Sequence, residues 1–301
     1  MTADRMTEVR TVGSALAEAT SRLRDAASPT ARLDAEVLMA HVVTRDRAWV
    51  LAHPEAEIGA AVAVAFEAAV ARRGAGEPVA YIRGFKEWHS LRIRTDRRAL
   101  IPRPETELLA EAAMAQIASR LGRDDAPVVA WEVATGSGAV SVAVAVRFRS
   151  ALESGRLVLI ASDVSADALE LAVVNLEAHG VGDVVTTAFA DLLAPAGGLL
   201  PRPDVIVANL PYVASAEVDS RRGSLGHEPR IALDGGPDGL ELLRSLFAEL
   251  PDHAAPGATV LLEIGVGQGG AVAALAPSGA SVSVVPDLAG LDRVLRVDLG
   301  G

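Results

Sequence analysis

Cysteine is absent from this 301-residue chain, which excludes disulfides, thiolate metal sites and a cysteine nucleophile together. Aromatic residues are scarce, at 3%, so the core has to be built largely from Ala, Val and Leu. Positive charge is also in deficit: 28 Lys and Arg stand against 39 Asp and Glu, a formal charge of −11. A protein that lives on a phosphate backbone needs cationic surface to release counterions; this balance argues against that, though not against a local basic patch. No uninterrupted apolar run reaches membrane-spanning length, since Ala60 to Ala71 is broken by Glu67. Met1 to Arg10 is polar and charged, unlike a signal peptide. The expectation is a soluble cytoplasmic protein with no membrane partner and no stable nucleic-acid partner.

What is present falls into three parts. Residues 1–76 read as a helical domain. Val12, Leu16, Ala19 and Leu23 recur at helical spacing until Ser28-Pro29-Thr30 interrupts them. Leu33 to Val43 carries a second helix, and Glu57 to Arg73 a third, stopped by Gly74-Ala75-Gly76. Residues 77–100 hold several of the few aromatics, with Tyr81, Ile82, Phe85, Trp88, Leu91 and Ile93 around Gly84, and read as a linking hairpin. Over residues 101–301 strands and helices alternate. Strands are expected at Val128 to Ala134, Leu157 to Asp163, Val184 to Ala188, Asp204 to Asn209 and Thr259 to Ile264. Helices are expected at Ala139 to Phe148, Ala166 to His179, Leu240 to Leu250 and Gly269 to Leu275. Alternation of this kind predicts an α/β fold, a mostly parallel sheet with helices on both faces. Val282 to Val285 and Val294 to Val297 leave no room for a crossover helix, so that pair should be antiparallel.

One junction carries chemistry. Val205, Ile206 and Val207 form a short apolar run, the pattern of a strand covered on both faces, and it leads into Asn209-Leu210-Pro211-Tyr212. Pro211 ends the strand and stiffens the turn, leaving Asn209 at the carboxyl end, where open α/β sheets place ligands. The Asn209 amide oxygen can accept one N–H of a planar –NH2 group, a turn carbonyl the other, and Tyr212 can flank the plane. Asn and Pro are also ordinary turn residues, so the rest of the chain must decide.

A second junction is Glu132 to Ala139. Thr135, Gly136, Ser137 and Gly138 sit where the first sheet strand turns into its helix, a place where glycine lets backbone approach a ligand. The dinucleotide fingerprint wants a third glycine where Ser141 stands, which disfavours a nicotinamide cofactor. Asp163 ends the next strand, where a carboxylate can accept ribose hydroxyls; a helix cap is the plainer alternative, but Ser165 already fits it. Asp191 would lie beside an adenine with Leu192 on its face, or be a solvated loop acid. Gly265 to Gly270 reads as a structural strand–helix turn. Arg92, Arg94, Arg97, Arg98 and Arg103 read as an exposed hairpin face, and His227-Glu228 as ordering a substrate loop. Phe85 and Trp88 read as packing residues.

Taken in order, these segments resemble the release-factor glutamine methyltransferases, the HemK-like branch of class I S-adenosylmethionine-dependent methyltransferases. Ala31 to Glu36, Phe85 to Leu91, Leu100 to Glu107, His227 to Gly236, and Leu262 to Gly265 with Gln268 carry the resemblance. It implies a seven-stranded catalytic sheet, S-adenosyl-L-methionine as methyl donor, and an N-terminal domain that helps recognise peptide-chain release factors. The methyl acceptor it implies is the side-chain amide of the glutamine in their Gly-Gly-Gln motif. The residues implied to meet the cofactor are Ala134 to Gly138, Asp163, Asp191, Leu192 and Asn209; those implied in catalysis are Asn209, Leu210, Pro211 and Tyr212. Two positions depart from the family: Leu210 stands where it has a first proline, and Ala134 where it has a first glycine. Two rivals follow from the same residues. One is an amino-methyltransferase acting on adenine or cytosine in nucleic acid, the other a non-catalytic binding protein on the same fold.

Overall fold

The computed structural model describes residues 10–123, 126–195, 200–220 and 226–300; of the polar segment Met1 to Arg10, only Arg10 lies within them. The chain divides into two units, residues 10–84 with 226–227, and the remainder.

The first unit is helical: α1 (Val12–Asp25), α2 (Ala31–Val42), α3 (Arg47–Ala52), α4 (Ala60–Gly74) and α5 (Val79–Arg83). α1 starts at Thr11, whose side chain caps Ser14 N–H while Ser14 returns a bond to the Thr11 backbone. The interior is made of small residues around one ring, with Ala15, Leu16, Leu38 and Val70 packed about Phe66. Asp34 ties the unit together. It accepts from Ser28 Oγ at 2.7 Å, Thr30 Oγ1 at 2.9 Å and Arg73 Nε at 2.7 Å. The break at Ser28-Pro29-Thr30 therefore supplies both hydroxyls to that carboxylate. Tyr81 and Ile82 belong to α5, not to the expected hairpin, because Pro78 opens a helical turn there.

The second unit begins with the hairpin of β1 (Phe85–Trp88) and β2 (Leu91–Arg94). His89 and Ser90 both have positive φ, 48° and 59°, the mirror-image turn that matches strand twist. Then follow α6 (Thr106–Leu121), β3 (Val128–Val133), α7 (Ala139–Arg147), α8 (Arg149–Glu153), β4 (Leu157–Asp163) and α9 (Ala166–Ala178). The chain continues through β5 (Val185–Asp191), β6 (Ala194–Pro195), β7 (Val205–Ala208), α10 (Ser215–Ser220) and α11 (Glu241–His253). It ends with β8 (Thr259–Glu263), α12 (Gly269–Ala273), β9 (Ser281–Pro286) and β10 (Asp292–Asp298). The large sheet has the order β6-β5-β4-β3-β7-β8-β10-β9. Seven strands were expected; the eighth, β6, is a two-residue edge piece antiparallel to β5. β9 and β10 pair antiparallel as their short connection required. This is the mostly parallel sheet with helices on both faces that the alternation predicted.

Alternation along the buried strands builds two cores. Val205 and Val207 pack with Leu109 and Ile117 of α6 and with α7, while Ile206 and Ala208 pack with Leu243 and Leu246 of α11. α6 escaped the sequence reading because the Pro102 to Glu107 string was read as a motif and not as a helix start. Among the described residues no helix is long and apolar enough to cross a membrane.

Replacing Asp34 by Ala removes the acceptor shared by Ser28, Thr30 and the largely buried Arg73 guanidinium. The expected cost is about 3 kcal/mol or more, read as a shift of the denaturant midpoint of the full chain.

Candidate active site

Register decides which residues share the carboxyl edge of the sheet. Val133 pairs with Ser162 of β4 and with Ala208 of β7, and Ala208 pairs with Leu262 of β8. The next residue on each strand is Ala134, Asp163, Asn209 or Glu263, so these four form one row. β4 and β7 flank β3 on opposite sides, and a crevice opens where the strand order reverses. A cavity of about 770 Å³ lies there, lined among others by Thr135, Asp163, Leu192, Asn209 and Leu210. Such a volume suits a nucleoside-sized ligand with room for a second group, since small-molecule pockets span roughly 300–1,000 Å³.

The loop after β3 is organised by Glu132. Its Oε2 accepts from Thr135 Oγ1 at 2.7 Å, from Ser141 N–H at 2.9 Å and from Ser141 Oγ. Ser141, which stands in place of a third glycine, is thus a ligand of that carboxylate. Burial lifts the Glu132 pKa from 4.5 to about 7 against these hydrogen bonds. Gly138 has φ 78°, and a Cβ there would lie 3.0 Å from that of Ala172, so the turn needs glycine to sit against α9. Asn175 of α9 donates to Ser137 O at 2.8 Å and accepts from Arg94 N–H at 2.8 Å, joining the loop to β2. Ala134 adopts φ 55°, a left-handed conformation that costs an L-residue about 1–2 kcal/mol.

Asp163 is 8% exposed. Its Oδ2 accepts from Gly136 N–H and its Oδ1 from Ser165 N–H, both at 2.9 Å. Each oxygen keeps a second lone pair for a ligand hydroxyl, and burial raises the carboxyl pKa. Ser165 Oγ caps α9 through Ala168 N–H. Asp191 is exposed and Leu192 buried, the latter at φ 49°, and both line the cavity. These residues fit S-adenosyl-L-methionine: acceptors for a ribose, an apolar wall for a base, and a loop held open by glycine.

Asn209, Leu210 and Pro211 line the same cavity. Asn209 Nδ2 donates to Thr106 Oγ1 at 3.2 Å, which donates to Glu263 Oε2 at 2.7 Å. Tyr212 does not line the cavity, contrary to its expected place beside the substrate plane. Its hydroxyl, which needs a partner when buried, turns to Glu263 Oε1 at 3.3 Å. Burial and the nearby Glu263 push its pKa up to about 12. The backbone after Asn209 is clasped from behind: Gly235 N–H donates to Val213 O, and a Cβ on Gly235 would lie 2.5 Å from Pro211 O. Gln268 donates to Tyr212 O and accepts from Gly265 N–H, a structural use of that glycine turn.

Arg92, Arg94 and Arg97 are exposed, the first two on one face of β2 as expected, whereas Arg98 and Arg103 are half-buried. Arg92 lies over the Phe85 ring at 3.5 Å from its centroid, Arg98 pairs with Asp96 at 2.7 Å, and Arg103 with buried Glu228 at 2.6 Å. Glu228 also accepts from Ile101 N–H, and Trp88 Nε1 donates to Arg103 O, so the Leu100 to Arg103 strap is held from two sides. Asn175 was not anticipated, and Thr106 and Glu263, though inside segments that carry the family resemblance, were given no role at the site. No local pattern reveals what they bond, because their partners lie 38 to 157 positions away.

Residues 14–84 match the family described as PrmC N-terminal domain. Over most of its length the chain is similar to curated relatives named release factor glutamine methyltransferase. That of Xylella fastidiosa strain Temecula1 is 38% identical, covering 93% of this chain and 94% of the relative. That of Moorella thermoacetica is also 38% identical, over 94% and 96%. The Cereibacter sphaeroides relative is 36% identical, over 95% and 97%.

Two outcomes follow from the loop. Ala134→Gly relieves the left-handed alanine and is expected to raise Tm by about 1–3 °C, the relief being partly offset by greater unfolded-state freedom. The raised Glu132 pKa favours the protonated form in the fold. That contribution is full below about 4.5 and is lost as pH rises through about 7. Melting curves across this window should show a flatter pH profile for Glu132→Gln than for the parent.

Proposed function

From the premise that the chain belongs to the release factor glutamine methyltransferase family, we propose that it methylates the glutamine side-chain amide of the Gly-Gly-Gln motif in peptide-chain release factors, using S-adenosyl-L-methionine. The observation that carries this reading is Asn209. It lines the cavity shared with the glycine loop, its Nδ2 is committed to Thr106, and among the described residues no donor reaches its Oδ1.

S-adenosyl-L-methionine, when bound, supplies a sulfonium methyl whose C–S bond breaks, with the electron pair going to sulfur, as the N–C bond forms. Ala134 to Gly138 and Asp163 hold it, with Asp191 and Leu192 at its base. Asn209 Oδ1 and the Leu210 carbonyl accept the two N–H bonds of the substrate amide, which orients the nitrogen and favours the positive charge it acquires. A backbone carbonyl serves here whatever the side chain, so leucine in place of the family's proline keeps the clamp. The nitrogen then loses one proton to water, leaving a methylamide; no metal or covalent intermediate is called for. Orientation of this kind can lower a barrier by roughly 7–11 kcal/mol. The helical N-terminal part, residues 1–76, serves in recognition of the release factor, and the acidic balance of −11 favours a protein over a nucleic acid as the partner. The setting is the cytoplasm, where release factors act.

Incubation with labelled S-adenosyl-L-methionine and either release factor or RNA, followed by mapping of the label, tests the reading; label on RNA alone would refute it. Asn209→Ala is expected to lower kcat about 100-fold or more while cofactor affinity is largely kept.

A further inference from the structure

We infer that Glu263, which does not line the cavity, is a positioning residue for methyl transfer: through Thr106 it decides which end of the Asn209 carboxamide faces the substrate. The inference rests on the reading of Asn209 as the clamp. A carboxamide is nearly symmetric in shape, with an acceptor at one end and two donors at the other. A clamp for an –NH2 group works only with the oxygen forward. Asparagine itself has no preference, so something behind it must hold the nitrogen end.

Thr106 Oγ1 lies 3.2 Å from Asn209 Nδ2 and 2.7 Å from Glu263 Oε2. A hydroxyl has one proton to give. The carboxylate, an acceptor only, takes that proton, so Thr106 presents a lone pair to Asn209 and can hold only its Nδ2. Tyr212 gives its proton to the other oxygen, Oε1, at 3.3 Å. The polarity of the whole string therefore originates at Glu263. Its placement is built in, because Ala208 pairs with Leu262 and sets Asn209 and Glu263 side by side at their strand ends. Thr106, in the first turn of α6, bridges the two. Glu263 is 1% exposed and Thr106 6%. Among the described residues no arginine or lysine lies within ion-pair distance of Glu263, and Arg293 acts on it only as a neighbouring charge, so a direct salt bridge is not what holds an acid buried there.

Glu263→Gln keeps the shape and removes the directionality. A glutamine has one oxygen for the two donors Thr106 and Tyr212; with that oxygen on Tyr212 its NH2 donates to Thr106, whose own proton then turns to Asn209 and draws Oδ1 backward, leaving Nδ2 to face the donors of the substrate. With release factor as substrate, Glu263→Gln should lower kcat about 100-fold, the scale of a misplaced reacting group, with the Kd for S-adenosyl-L-methionine and Tm held. Thr106→Val should lose as much, and Thr106→Ser should recover most of that loss. In an Asn209→Ala background, Glu263→Gln should add nothing, since both act at one point. Wild-type kcat in Glu263→Gln, losses that multiply with Asn209→Ala, or Thr106→Ser no better than Thr106→Val would each overturn the inference. Should Glu263→Gln fold poorly, the two Thr106 variants carry the same test. A parent enzyme that leaves release factor unmethylated would instead refute the substrate reading, and this inference with it.

Discussion

Parallel strands buried on both faces leave a chain one edge at which to do chemistry. Side chains along β3, β7 and β8 are consumed by the two cores, so the first residues free to meet a ligand are those just past the strand ends. Pairing in register brings those residues level. Because β4 and β7 lie on either side of β3, the level row coincides with the crevice where strand order reverses. The glycine loop after β3 and the turn after β7 thereby line one cavity, although 75 positions separate Ala134 from Asn209 in the chain.

Buried carboxylates organise this edge. Glu132 gathers the glycine loop, Asp163 joins that loop to the start of α9, Glu228 holds the Leu100 to Arg103 strap, and Glu263 anchors Thr106 and Tyr212. Each accepts hydrogen bonds from backbone or hydroxyl groups, and only Glu228 has an arginine in direct contact among the described residues. Burial raises the pKa of Glu132, Asp163 and Glu263, the ordinary consequence of taking a charge out of water. A carboxyl group offers several lone pairs on two oxygens, which lets several donors converge on one side chain.

Strain collects at the same place. Among the non-glycine residues with positive φ, Ala134 and Leu192 both line the cavity, in keeping with the tendency of strained backbone to gather at functional sites. At Ala134 the sequence shows a methyl group where glycine is the family's residue, but the sign of φ there belongs to the folded backbone. Tyr212 shows the same division. An aromatic beside a clamp suggested a wall for the substrate, whereas its buried hydroxyl, having to find an acceptor, turned it toward Glu263.

Periodicity by itself determined the alternation of strands and helices in the second unit apart from α6 and the short elements, the antiparallel closing pair, and the longer helices between Val12 and Gly74, because burial on one or both faces writes its repeat directly into the residues. Local chemistry marked the strand-end positions of Asn209, Asp163 and the loop from Ala134 to Gly138, since strand ends with glycine, proline or a carboxylate are conspicuous. Tertiary structure alone decided the remainder: that Glu263 and Thr106 stand behind Asn209, that Asn175 joins Ser137 to Arg94, and that Arg103 belongs to Glu228. Hydrogen bonds between distant positions leave no local periodicity, and they exist only once strand register has set the partners side by side.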